Sequence, residues 1–339
     1  MVKAKNVSVT DAVRDPVQVG TATVAVIEEA RLKRSDSITL GIPTVDKDFV
    51  PAKASDLIAI VGYTSNGKSM LANSIARYHA ERLGKTGTGK EIVISITWEQ
   101  SIEDQGIGDI SNITHIPMNK IASGNFSDQE FGQILEASDR RGKMPWWLIG
   151  HSALERKRRF RLSMDEVFDC IDWIVNQVGM DPQLIVLDYL QRIRRVKADL
   201  REGYMDIVDD AKDLPYNFRI PTILVSQSKR DVYSREWGLP DLDDGQETSN
   251  LEQSSDRYIS VWKVGQRHPI GHPVIRGKQA WLTTDDLFIL GLMKNKQGRA
   301  PVVYGLRMDW TTGNIMGEYE HIDAATLDKK AKAKWERKP

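Results

Sequence analysis

Apolar residues along the chain fall into two patterns. Runs of consecutive apolar, largely β-branched residues at 57–61, 92–97, 184–187, 222–226, 258–262 and 287–293 predict strands. Segments 69–83, 128–140, 164–178 and 206–214 carry apolar positions at helical spacing. Several strand runs are apolar throughout, so their sheet must be covered on both faces. The predicted fold class is therefore α/β, with a mostly parallel central sheet flanked by helices. Residues 1–20 are polar and contain Pro16 and Gly20, which predicts a flexible N-terminal arm. Residues 21–37 read as a short amphipathic helix, with Val24, Ile27 and Leu32 on one stripe and Ser35 and Asp36 as terminators. The globular domain is expected over 38–321, followed by a basic tail, 322–339, whose lysines and Arg337 surround Trp335.

Charge changes this picture little. The 47 Lys and Arg balance the 47 Asp and Glu, so no whole-molecule field draws in nucleic acid, and any such contact must come from local basic loops. A single cysteine excludes a disulfide scaffold, and Cys170 is expected in the core beside Val167, Ile171 and Ile174. No apolar run approaches the roughly 18–20 residues that cross a bilayer, and the first residues lack the apolar core of a signal peptide. A cytoplasmic protein without membrane contact is expected.

One segment carries explicit chemistry. Gly62, Gly67, Lys68 and Ser69 form G-x-x-x-x-G-K-S after a predicted strand and at the start of a predicted helix. Backbone N–H groups of Gly62, Tyr63, Thr64, Ser65, Asn66, Gly67, Lys68, Ser69 and Met70 can then converge on the phosphates of ATP. Lys68 is expected to reach the outer phosphates, and Ser69 to help hold Mg²⁺. Asp188 ends the apolar run LIVLD, where a carboxylate can join the Mg²⁺ shell. Glu99 ends a strand expected next to the phosphate loop and is placed to activate water.

These segments, with ITLGIPTVDKDF, WEQS, IVLDYLQ, IPTILVSQSKR and ETSNLEQSSD, resemble in order and spacing the ATPase domain of DnaB-type replicative helicases, of the RecA-like superfamily. The resemblance spans about residues 38–310. It implies a RecA-like P-loop fold, a homo-oligomer such as a hexamer with ATP at subunit interfaces, single-stranded DNA as the track, and replication proteins as partners. It implies that Glu99 is the catalytic glutamate, Asp188 the Mg²⁺-linked aspartate, and Gln227 the polar sensor of the γ-phosphate. Gln246, Glu247 and Ser249 fall where the family places an Arg, a Glu and a Gly near the pore, so two of the three positions depart from its pattern. The Lys-x-Arg finger that reaches a neighbouring subunit's γ-phosphate is here Lys294 and Lys296, with Arg299 close behind. The separate helical N-terminal domain of replicative members has no counterpart before residue 38, which hints at a phage or mobile-element origin.

Basic clusters supply candidate DNA contacts. Arg195, Lys197 and Arg201 follow the Asp188 strand, and Lys229, Arg230 and Arg235 follow Gln227 with Tyr233 and Trp237 interleaved. A third cluster, Arg156 to Arg161, reads as a surface or partner patch. His268 and His272 in HPIGH are expected to form a loop, since nothing nearby in sequence completes a metal site. A non-unwinding ATPase of the same fold stays open: a recombinase-like filament former, a helicase loader, or a KaiC-like regulatory ATPase.

Overall fold

The computed structural model describes residues 13–32, 37–154, 161–197, 199–246 and 250–327. Two compact units divide the chain near residue 38. In the first, helix α1 (Pro16–Leu32) begins five residues before the expected Thr21. The reason is local: Asp15 Oδ1 accepts from the Gln18 N–H at 2.8 Å, and Pro16 suits a first helical turn whose N–H has no partner anyway. The expected terminators Ser35 and Asp36 lie outside the described residues.

The second unit is built on strands β1 (Leu57–Gly62), β2 (Glu91–Thr97), β3 (Trp146–Ile149), β4 (Asp181–Asp188), β5 (Thr222–Gln227), β6 (Arg257–Lys263), β9 (Leu287–Asn295), β10 (Val302–Asp309) and β11 (Asn314–Glu318). They form one sheet in the order β11-β10-β9-β6-β1-β5-β4-β2-β3. From β6 to β3 every pairing is parallel, whereas β9, β10 and β11 add antiparallel strands at one side. A small second sheet joins β7 (Pro273–Arg276), β8 (Gln279–Leu282) and β12 (Ile322–Asp323). Because Ile322 pairs with Ala280, the folded framework runs past the expected boundary at 321. The lysine-rich stretch from 329 onward lies outside the described residues.

Helices α2 (Lys68–Thr86), α3 (Ile102–Thr114), α4 (Asp128–Gly142), α5 (Met164–Trp173) and α6 (Leu200–Phe218) flank the sheet, with the short α7 (Asn250–Ser254) before β6. Every residue of β1 is buried, as a doubly covered strand requires. Three of the helices, α3, α4 and α5, start at a serine cap with an acidic residue three positions on, so two orphan N–H groups are satisfied at each start. Two expectations are corrected. Strand β2 does not neighbour β1, because β4 and β5 insert between them. Cys170 is only partly buried, since the apolar stripe of α5 centres on Met164, Val167 and Ile171.

Candidate functional site

The phosphate loop leaves β1 at the carboxyl edge of the parallel strands and enters α2. Gly62 runs so close to β6 that a Cβ there would lie 2.8 Å from the Val261 carbonyl oxygen. Gly67 adopts φ +83°, and a Cβ on it would meet the Trp310 ring at 2.9 Å. The buried Asn66 pins the loop by accepting from the Lys263 N–H at 2.6 Å, and Gln266 donates to the Thr64 carbonyl at 3.3 Å. The outcome is a fixed ring of backbone around the N-terminus of a long helix, the geometry that binds anions.

Lys68 folds into this ring and donates to the Tyr63 carbonyl at 2.8 Å. Burial lowers its pKa to about 8, against the opposing pull of Asp188 and Glu99. Asp188 ends β4, and Ser69 hydrogen-bonds its carboxylate. Burial raises the Asp188 pKa to about 6, with Lys68 and Ser69 opposing. Asp188 Oδ1 is buried and accepts no hydrogen bond among the described residues. An orphaned carboxylate oxygen beside a serine hydroxyl and a lysine is a hard-oxygen donor set that suits Mg²⁺ held against phosphate.

Glu99 reaches the same place by register. Thr97 pairs with Asp188, and the Trp98 N–H donates to the Asp188 carbonyl at 3.1 Å, so Glu99 leaves β2 alongside Asp188. Its carboxylate is half exposed and lies 3.9 Å from the Arg192 guanidinium. Gln227 ends β5 opposite Gly62, and its carbonyl accepts from the Gln246 N–H at 2.9 Å. Gln191, to which sequence reasoning gave no role, bridges the two strand ends. It donates to Ser226 Oγ at 3.0 Å and accepts from the Gln227 N–H at 3.2 Å. Its place in LDYLQ was visible, but its partners are 35 and 36 residues away.

The basic residues divide. Arg195 packs over the Tyr204 ring at 5.1 Å, Lys197 pairs with Asp206 at 3.1 Å, and Arg201 and Arg230 are exposed without an ion pair among the described residues. Lys229 donates to the Asp243 carbonyl, and Arg235 is held by Asp231 and Asp244 at 2.6 Å each. Arg235 therefore braces its own loop. Tyr233 of that loop stacks on Tyr63 of the phosphate loop with ring centres 4.8 Å apart, a link that sequence spacing could not reveal. Glu247 and Ser249, like Arg156, Lys157, Arg158 and Arg159, lie outside the described residues.

The lysine pair sits elsewhere. Because β9 runs antiparallel to β6, Lys294 and Lys296 emerge at the amino edge of the parallel strands, where Asn295 faces Arg257 and Arg257 faces Ile58. The phosphate loop is a strand length away, on the order of 15 Å. Lys294 donates to the Glu252 carbonyl at 2.8 Å, Lys296 pairs with Asp256 at 2.6 Å, and Arg299 is exposed. One chain thus gathers Lys68, Ser69, Glu99, Asp188 and Gln227 and leaves Lys294, Lys296 and Arg299 at the far edge.

Known proteins resemble the chain in sequence and in fold. The chain is 22% identical over 242 residues to the replicative DNA helicase DnaC of Bacillus subtilis, which covers 70% of this chain and 50% of that protein. It is 25% identical over 236 residues to the replicative DNA helicase DnaB of Rickettsia typhi, covering 67% of this chain and 45% of that protein. The chain therefore spans about half the length of these relatives. Among solved structures, an isolated ATPase domain superposes with a TM-score of 0.72 at 18% identity, covering 90% of this chain and 100% of that one. A DnaB-like replicative helicase studied with primase superposes at 0.70 and 17% identity, over 88% of this chain and 66% of that one. Those two likenesses fix the fold as RecA-like. The profile of the DnaB-like helicase C terminal domain matches residues 37–298, from the start of the second unit to the turn after β9, and the chain belongs to that family.

Proposed function

We propose that this chain is the ATP-hydrolysing motor of a DNA helicase that moves on single-stranded DNA during replication, working as a homo-oligomer, such as a hexamer, with ATP between subunits. The observation that carries the reading is the convergence of Lys68, Ser69, Asp188 and Glu99 at the carboxyl edge of the sheet, beside the two basic loops. Lys68 exchanges its bond to the Tyr63 carbonyl for the outer phosphates of ATP, and the loop N–H groups bind the inner ones. Ser69 and Asp188 would hold Mg²⁺, which when bound neutralises charge on the phosphate oxygens. Glu99 orients a water and takes its proton as the water oxygen bonds to the γ-phosphorus and the bond to the ADP oxygen breaks.

Lys294, Lys296 and Arg299 act on a neighbouring subunit's ATP, since within one chain they sit at the wrong edge. Gln227 passes the state of the γ-phosphate to the loop of Lys229 and Arg230, and Arg195 and Lys197, with Arg201 in the first turn of α6, form the second basic segment that contacts the DNA backbone. Gln246, Glu247 and Ser249 belong to the same track. A cytoplasmic setting with replication proteins as partners completes the reading; among the described residues no helix is long and apolar enough to cross a membrane. The test is strand displacement from a forked duplex with ATP or a non-hydrolysable analogue. Separation that needs ATP supports the reading, whereas hydrolysis that never separates strands supports a non-unwinding ATPase.

A further inference from the structure

Away from the phosphate loop, folding assembles three groups that are far apart in sequence. His268 and His272 stack with ring centres 4.4 Å apart and planes 4° from parallel. Glu236, from the loop after β5, places Oε1 2.6 Å from His272 Nε2, and its own carbonyl accepts from His268 Nε2 at 3.0 Å. One ligand atom from each of the three lies within 4.8 Å of the others. Sequence reading lacked the third ligand because Glu236 is 32 residues from His268.

From this cluster we infer a binding site for a divalent transition-metal ion of the Zn²⁺ class, with Glu236, His268 and His272 as its protein ligands. Two imidazoles and a carboxylate are a borderline donor set that suits Zn²⁺, Co²⁺ or Ni²⁺, and three protein ligands leave a position for water. Metal–ligand bonds of about 2.0–2.2 Å put tetrahedral donors roughly 3.3 Å apart, so the cluster must contract and one ring must turn out of the parallel stack. The turn between the histidines is held in place by its backbone. Gly271 holds φ +82° between the histidines, its N–H donates to the Thr283 carbonyl at 2.8 Å, and the His272 carbonyl accepts from the Thr283 N–H at 2.8 Å. Arg267, next in sequence to His268, spends its guanidinium on the carbonyls of Tyr233, at 2.8 Å, and Arg235. His268 is buried against Trp262, while the Glu236 side chain is 71% exposed and gives an ion its route in.

The site is a clasp. It ties the loop that carries Lys229, Arg230 and Tyr233 to the turn after β6, and it stands whether or not that loop contacts DNA. The test is titration of the chelator-treated 339-residue chain with Co²⁺, followed by its visible d–d bands and by quenching of tryptophan fluorescence. Loss of even an outer-shell partner costs about 10–100-fold in metal affinity, so Glu236→Gln and His272→Gln are each expected to weaken binding at least about tenfold. Wild type should hold one equivalent, with Zn²⁺ displacing it. The Glu236 side chain is 71% exposed and that of His272 17%, and circular dichroism checks that each variant keeps the fold. Failure of the wild type to hold an equivalent, or wild-type affinity in both variants, overturns the assignment.

Discussion

Glu99 is half exposed at the end of a strand, and by itself it resembles any solvated terminus. Its position beside Asp188 comes from the pairing of Thr97 with Asp188, and so from tertiary structure. Lys68, in contrast, was assignable from eight contiguous residues, because the loop's chemistry is local. This difference separates the legible part of the site from the rest. The phosphate loop could be read along the chain, and the strand-end acids as candidates only, whereas the neighbours of Glu99 and the contacts of Gln191, Arg192 and the Tyr63–Tyr233 stack are made across strands. The roles predict distinct defects. Glu99→Gln should cut hydrolysis by about 10²–10⁴-fold with nucleotide binding retained. Lys68→Ala removes a charge-assisted bond worth about 1.5–3 kcal/mol and should weaken nucleotide binding by about 10–100-fold. Fluorescent-nucleotide titration beside steady-state rates separates them.

At the scale of elements, apolar runs marked the buried parallel strands but not their order. β1 and β2 are consecutive in sequence, yet two later strands lie between them, since crossover helices let a chain skip positions that later strands fill. Strand β3, at four residues, and the exposed hairpin strand β11 lacked a long enough pattern to stand out. Where β1 and β6 begin, Arg257 is buried against Asp56 at 2.6 Å and donates to the Val50 and Pro51 carbonyls at 2.7 and 2.9 Å. Asp56→Ala leaves this guanidinium buried without its counter-charge, which should cost about 3–5 kcal/mol in urea unfolding.

Helix α6 carries the opposite problem. Partial burial, with Asp165, Asp206, Asp213 and Asp209 around it, raises the Asp210 pKa from 3.8 to about 6. A raised carboxyl pKa favours the protonated native state, so the destabilisation is absent below about pH 4, grows as pH rises, and is complete above about pH 6. Asp210→Asn should therefore stabilise the protein at pH 7.5, on the order of 1 kcal/mol after solvent screening, and leave Tm unchanged near pH 3.5. Thermal melts at the two pH values measure the difference.

For the whole molecule, Lys68 is separated from Lys294, Lys296 and Arg299 by the length of a strand, so an ATP site that uses the far-edge cations depends on two chains. Mixing provides a direct check. Oligomers that combine Glu99→Gln chains with Arg299→Ala chains should regain part of the activity that each lacks alone, because some interfaces pair intact halves. Absence of rescue in mixed oligomers contradicts a shared site. The central claim is that hydrolysis is coupled to single-stranded DNA, and the steady-state ATPase rate with and without that DNA, at low and moderate salt, tests it most directly. The account predicts a several-fold rise with DNA that fades as salt screens the basic loops, and hydrolysis at least about 10²-fold slower in Glu99→Gln. A rate that DNA leaves unchanged at both salt concentrations, with Glu99→Gln still impaired, would contradict the DNA motor while leaving a working ATPase.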